Sequence, residues 1–266
     1  MRPDEYRKLY GNFTALLYGP GGGGKTVLAA AVSKFGPTRI LDLQKGAISA
    51  ITGGSRFIDE QNLDIVPIRN MNEFNDAVAQ IEQDRERLRF VAIDTISELD
   101  DMIESEYMEN SPNQMEYKDY REKLWRMMRI TRFFRDSGLN IIMTANDEVD
   151  KKERIIPLLD GKLRALLPNQ IDIVCYVGIK DTPMGVSPTP TGGPMPSMLT
   201  RQVITQSAHV SVRDRFNRLA PAENITDNPA LFWAKVLGVP VPPPKSGAPQ
   251  ARPTADPIAG TGTPRR

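Results

Sequence analysis

Eight consecutive residues, Gly19-Pro20-Gly21-Gly22-Gly23-Gly24-Lys25-Thr26, put a glycine run directly before a lysine and a hydroxyl. Glycine lets a backbone wrap closely around an anion and turn its N–H groups toward it, because no Cβ holds the chain away. A helix beginning at Lys25 would add partial positive charge at its amino end. Lys25 would then reach the β- and γ-phosphates of a nucleotide, and Thr26 would give its hydroxyl to Mg²⁺. The spacing G-x-x-x-x-G-K-[ST] is that of a phosphate-binding loop, so the run from Gly19 through Val27 is expected to bind ATP with Mg²⁺. A second metal-side group is expected at the end of a buried strand. Phe90-Val91-Ala92-Ile93-Asp94-Thr95 supplies it, with Asp94 holding the ion through water.

A loop of this kind works only between a strand and a helix. Strand-length apolar runs occur at residues 14–18, 39–43, 64–68, 90–93, 139–144 and 171–179, several of them continuous rather than alternating. Continuous runs suit parallel strands buried on both faces. Helical stretches separate them at residues 25–35, 72–88 with Asn72 as N-cap, and 117–136 ending before Gly138. The expectation is an α/β fold of three layers around a mostly parallel sheet. Residues 1–11 read as an N-terminal extension, 12–238 as one core domain, and 239–266, rich in Pro, Gly and Ala, as a disordered tail. Pro and Gly crowd residues 182–196 between two strand-like runs, which predicts a β-hairpin with a long tip.

Within 117–136, Tyr120, Leu124, Met127, Thr131 and Phe134 form the expected buried stripe. Arg126, Arg129, Arg132 and Arg135 fan around the helix, since steps of three lag a helical turn by roughly 60° each, and read as a solvated face. Trp125 and Trp233 both read as packing residues. His209, the only histidine, has no nucleophile motif beside it. A single cysteine, Cys175, excludes an internal disulfide and fits a reducing compartment, so a cytoplasmic location is expected. No apolar run is long enough for a membrane span. A formal net charge of +1 gives no general attraction to nucleic acid, so contact with it must come from a local basic patch.

Taken in order, the 19–26 loop, Phe90–Thr95, Thr144-Ala145-Asn146, Leu159-Asp160-Gly161-Lys162 and Val212-Arg213-Asp214-Arg215 make residues 12–216 resemble the RecA-like core ATPases. Among these the resemblance is to phage-encoded nucleotide-binding proteins related to single-strand annealing recombinases. Thr95 stands where motor-type AAA ATPases usually carry Glu, which points away from those motors. The resemblance implies a Glu base at the end of the strand after the loop helix, and this chain has Gln44 there. An amide cannot take a proton from water, though it can orient one, so slow or partner-dependent hydrolysis is expected, with Asp42 or Glu98 as substitute bases. It further implies that Asn146 senses the γ-phosphate and that Lys151, Lys152, Arg154, Lys162 and Arg164 contact DNA. Arg213 and Arg215 would reach a neighbour's nucleotide as an arginine finger does.

The implied whole is a homo-oligomeric ring or filament that binds single-stranded DNA and promotes annealing, in a host-cell cytoplasm if phage-encoded. A single-strand-binding or replication protein is an implied partner. Two other readings stay open at this point. One is a nucleotide-dependent module acting on a protein partner without DNA, and the other is a small-molecule phosphotransferase on the same loop.

Overall fold

The computed structural model describes residues 11–110, 115–183 and 197–243. The chain runs β1 (Thr14–Tyr18), α1 (Lys25–Ala30) continued by the 3-10 turn Ala31–Phe35, β2 (Thr38–Asp42), α2 (Ile48–Gly54), β3 (Leu63–Pro67), α3 (Met71–Gln83) and β4 (Phe90–Asp94). Then follow α4 (Ile96–Asn110), α5 (Tyr117–Asp136), β5 (Asn140–Ala145), β6 (Asp147–Val149), β7 (Ile155–Pro157), α6 (Leu163–Gln170), β8 (Ile173–Pro183), β9 (Ser197–Ile204), β10 (Arg213–Asp214), β11 (Ala222–Asn224) and α7 (Ala230–Leu237).

The main sheet has the order β11-β9-β8-β1-β5-β4-β2-β3, with β10 beside β8. From β8 to β3 every neighbour is parallel, while β9, β10 and β11 join antiparallel. Continuous apolar runs leave a strand no solvent face, and β1, β4 and β5 are buried at every position. Their side chains alternate between two cores. Ala15, Leu17, Phe90 and Ala92 pack with α1 and α7, whereas Leu16, Tyr18, Val91 and Ile93 pack with α3, α4, α5 and α6. The result is the expected three-layer α/β fold of P-loop NTPase type. Among the described residues no helix is long and apolar enough to cross a membrane.

Several local expectations need correction. The helix expected from Asn72 begins at Met71, because Asn70 is the cap: its side chain accepts the Glu73 N–H at 3.0 Å and the buried Met71 joins the first turn. That helix ends at Gln83 rather than residue 88. In α5, Met127, Thr131 and Phe134 are buried as expected, but Tyr120 is exposed and Leu124 only half-buried. Lys123 turns inward instead, because its ammonium meets Asp100, Glu104 and Asp160. Trp125 is also exposed, so it is not a packing residue. Trp233 is: it is fully buried, stacks on Phe13 at 5.6 Å and donates its indole N–H to the Leu28 carbonyl at 2.6 Å.

The hairpin expected around residues 182–196 forms between β8 and β9, and its tip, 184–196, lies outside the described residues. The N-terminal extension lies outside them except residue 11, as does the tail beyond residue 243. Val239 at the tail's start still donates to the Ala234 carbonyl at 3.0 Å, and Val241 packs against the core.

Candidate nucleotide site

The expected loop sits at the C-terminal end of β1, in the middle of the sheet. Gly19 donates to the Ala145 carbonyl of β5 at 3.3 Å, which anchors the loop's start. Its φ of +154° and its contact with β8 require glycine, since a Cβ there would stand 2.1 Å from the Val177 carbonyl oxygen. Gly24 caps α1 with φ of +100° and accepts the Leu28 N–H at 2.9 Å. Over Gly21 and Gly22 a Cβ would meet nothing within 4 Å, so the loop's backbone is open to a ligand there.

Lys25 is buried and its Nζ donates to the carbonyls of Gly19 at 2.7 Å and Pro20 at 3.0 Å, folding the ammonium over the loop. Burial lowers its pKa, with the charges of Asp94 and Asp147 opposing. Pro20 and Gly23 close the loop's turn through a 3.2 Å bond, and the half-buried Val27 packs against the core on the first turn of α1.

Thr26 and Asp94, both expected to serve Mg²⁺, are brought together from distant segments: the Thr26 hydroxyl donates to Asp94 Oδ2 at 2.7 Å. Asp94 Oδ1 accepts from Thr144 on β5, a contact the sequence reading missed. A lone threonine in the apolar run Ile141-Ile142-Met143-Thr144 was the available signal. Burial pushes the Asp94 carboxyl up in pKa, against the hydrogen bonds from Thr144 and Thr26 that lower it. The register pairs Asp42 of β2 with Asp94, but Asp42 is committed to structure. Its two oxygens accept the N–H groups of Gly46 at 2.9 Å and Ala47 at 3.2 Å. Those bonds fold residues 43–47 back over the site, where a Cβ on Gly46 would lie 3.4 Å from Thr26 Oγ1 and 3.5 Å from Asp94 Oδ2.

Gln44 is exposed beside this turn, and its Nε2 donates to Glu98 Oε2 at 3.5 Å, a long bond. Asn146 follows β5 directly; its N–H donates to Ser97 Oγ at 3.1 Å and its carbonyl accepts the Leu158 N–H at 2.8 Å. The five basic residues of the expected DNA contact fall on and just after the two-stranded β6–β7 hairpin. Lys151, Lys152 and Lys162 are exposed, whereas Arg154 pairs with Asp150 at 2.8 Å and Arg164 with Glu148 at 2.8 Å. Arg213 and Arg215 are not brought to the loop of their own chain. β10 pairs with the start of β8, so they lie at the opposite end of the sheet, where Arg215 binds Asp172 at 3.0 Å and Arg213 the Asn169 carbonyl at 3.2 Å.

An open glycine cradle, a lysine folded over it, and a hydroxyl touching a buried carboxylate suit one ligand class. Hard oxygen ligands fit Mg²⁺, and the cradle fits the phosphates that carry it. Fold and site together define a P-loop NTPase, a class that uses nucleotide and typically Mg²⁺. More narrowly, the chain belongs to the AAA domain family, whose model matches residues 12–213, most of the described core. Thr95 argues against the motor-type AAA ATPases, and membership of the family puts no glutamate at that position. No curated protein matches the chain.

Proposed function

We propose that this chain is an ATP-driven switch of RecA-like type that binds single-stranded DNA and promotes its annealing during recombination. The observation carrying the reading is the tie between the nucleotide site and the basic hairpin. Ser97, three residues after Asp94, donates to the Leu158 carbonyl at 2.9 Å and accepts the Asn146 N–H at 3.1 Å. Both feet of the β6–β7 hairpin are thereby fastened to the start of α4. A rearrangement at Asp94 and Thr95 on binding or losing a γ-phosphate would reach the hairpin within two residues. Lys151 and Lys152 at its exposed tip would neutralise backbone phosphates without reading sequence.

Within this reading Lys25 and the loop amides hold the triphosphate, Thr26 and Asp94 hold Mg²⁺, and Asn146 senses the γ-phosphate. Glu98 acts as the base for the attacking water, and Gln44, bonded to it, is a positioning residue. A carboxylate is thus supplied from α4 where Gln44 lacks one. A trans role for Arg215 requires it to exchange Asp172 for a neighbour's phosphate.

A second reading, action on a protein partner without DNA, is favoured by the ion pairs that neutralise Arg154 and Arg164. ATP turnover with and without single-stranded DNA, at two salt concentrations, decides between them. Stimulation that weakens with salt and disappears in Lys151→Ala/Lys152→Ala supports the first. Turnover indifferent to DNA, with nucleotide binding intact, rules it out in favour of the second.

A further inference from the structure

Strand alternation puts Arg201 and Val203 on one face of β9. Val203 is fully buried in the core that contains Leu28 and Ala29 of α1, so Arg201 faces the same layer. In the β8–β9 register Val203 pairs with Val177 and Arg201 with Ile179. The Val177 carbonyl already lies against the loop at Gly19 and Gly23, so Arg201 stands two pairs further along the hairpin. Its side chain crosses to Gly24: a Cβ there would be 2.9 Å from Arg201 Cδ and 3.4 Å from Nε. The strand beneath is fixed, since the Arg201 N–H donates to Thr226 Oγ1 at 2.7 Å and its carbonyl accepts the Ile225 N–H at 3.0 Å. Arg201 is exposed, and among the described residues its guanidinium has no ion-pair partner.

Sheet order fixes which part of a ligand it would meet. β8 and β9 flank β1 on one side, whereas β5 and β4, with the Asp94 metal ligand, lie on the other. With Mg²⁺ at Asp94 bridging the β- and γ-oxygens, the γ-phosphate would lie toward β5 and β4, which leaves the hairpin side to the phosphates nearer the ribose. We infer that Arg201 is a nucleotide-binding residue that holds the α- and β-phosphates against the outer side of the loop. This deepens the phosphate-loop reading and rests on it. An arginine fork on a rigid strand can bond two phosphate oxygens at once, which a lysine cannot match.

Calorimetric titration of the full chain with Mg·ATP and with Mg·ADP tests it, using Arg201→Met, Arg201→Lys and Lys25→Ala. Methionine keeps an aliphatic stem against Gly24 and removes the guanidinium with its charge and donors. The expected result is a loss of roughly ten- to a hundredfold in affinity for both nucleotides in Arg201→Met, with part regained in Arg201→Lys. Unchanged melting in the absence of nucleotide shows that folding is not the cause. Affinities within twofold of wild type for both nucleotides, or a loss confined to ATP, overturn the assignment. If wild type gives no binding heat, indistinguishable from Lys25→Ala, the loop reading itself falls and the inference with it.

Discussion

Lys123→Met removes the cation that joins the metal-side helix α4 to its surroundings. The Lys123 side chain is 4% exposed and its Nζ binds Glu104, Asp160 Oδ2 at 3.1 Å and Asp100 Oδ1 at 3.3 Å. Asp100 is 5% exposed; its Oδ2 accepts the Asp160 N–H at 3.1 Å, and its Oδ1 has no hydrogen bond, only the lysine's charge. Taking away one partner of a buried pair strands the other, at a cost of about 3–5 kcal/mol. Glu104 and Asp160 are exposed enough to add little. For a domain of this size each kcal/mol moves the melting midpoint by about 2–4 °C, so a fall of about 6–20 °C is expected by calorimetry.

The pH dependence of that loss is fixed by sign. Burial alone would lower the Lys123 pKa, but the bond to Glu104 and the charges of Asp100 and Asp160 outweigh it and raise it above 10.5. A raised folded pKa means the lysine's contribution is complete below the unfolded value and is lost only as pH climbs through the folded one. The gap between wild type and Lys123→Met should therefore stay constant through neutral and mildly alkaline pH and close above about pH 10.5. Adding Asp100→Asn to Lys123→Met should restore part of the loss, since a neutral amide needs no counter-charge. A midpoint shift under about 2 °C, or a gap already closing between about pH 7 and 9, would refute the reasoning.

Two further outcomes follow from the site. Gly19→Ala forces a Cβ to 2.1 Å from the Val177 carbonyl oxygen at φ +154° and should cost about 3 kcal/mol or more, whereas Gly21→Ala, with nothing within 4 Å, should melt near wild type. Equal melting of the two would contradict the loop's packing on β8. Glu98→Gln should lower ATP turnover by about 10²–10⁴ while leaving nucleotide affinity intact, and Gln44→Ala, which removes the amide donated to Glu98, should lower it by a smaller factor. Turnover insensitive to Glu98→Gln would remove Glu98 as the base, and turnover unmoved by Gln44→Ala would remove Gln44 as its positioning residue.

The phosphate loop and Asp94 were legible because their chemistry dictates residue type and spacing within one short segment. Groups whose roles depend on strand register were not. Thr144 meets Asp94 only because β5 lies beside β4, and the turn that Asp42 caps at Gly46 and Ala47 stands over Asp94 only because β2 ends level with it. The α4 helix escaped notice because its stripe Ile96, Leu99, Ile103 is short and set among acidic residues. Lys123 defeated the periodicity argument in α5, because an inward charge looks like a gap in an apolar stripe until its three carboxylates are known. For Arg213 and Arg215 the resemblance implied contact with a neighbour's nucleotide, not with their own loop. The pairing of β10 with the start of β8 carries them to the far end of the sheet.

Titration of the full chain with ATP in Mg²⁺ and again in EDTA addresses the central claim most directly. The account requires one nucleotide per chain, weaker by at least about tenfold without the metal, and loss of that difference in Asp94→Ala and Thr26→Ala. Absence of any binding heat, or an affinity that ignores both the metal and these two substitutions, would contradict it.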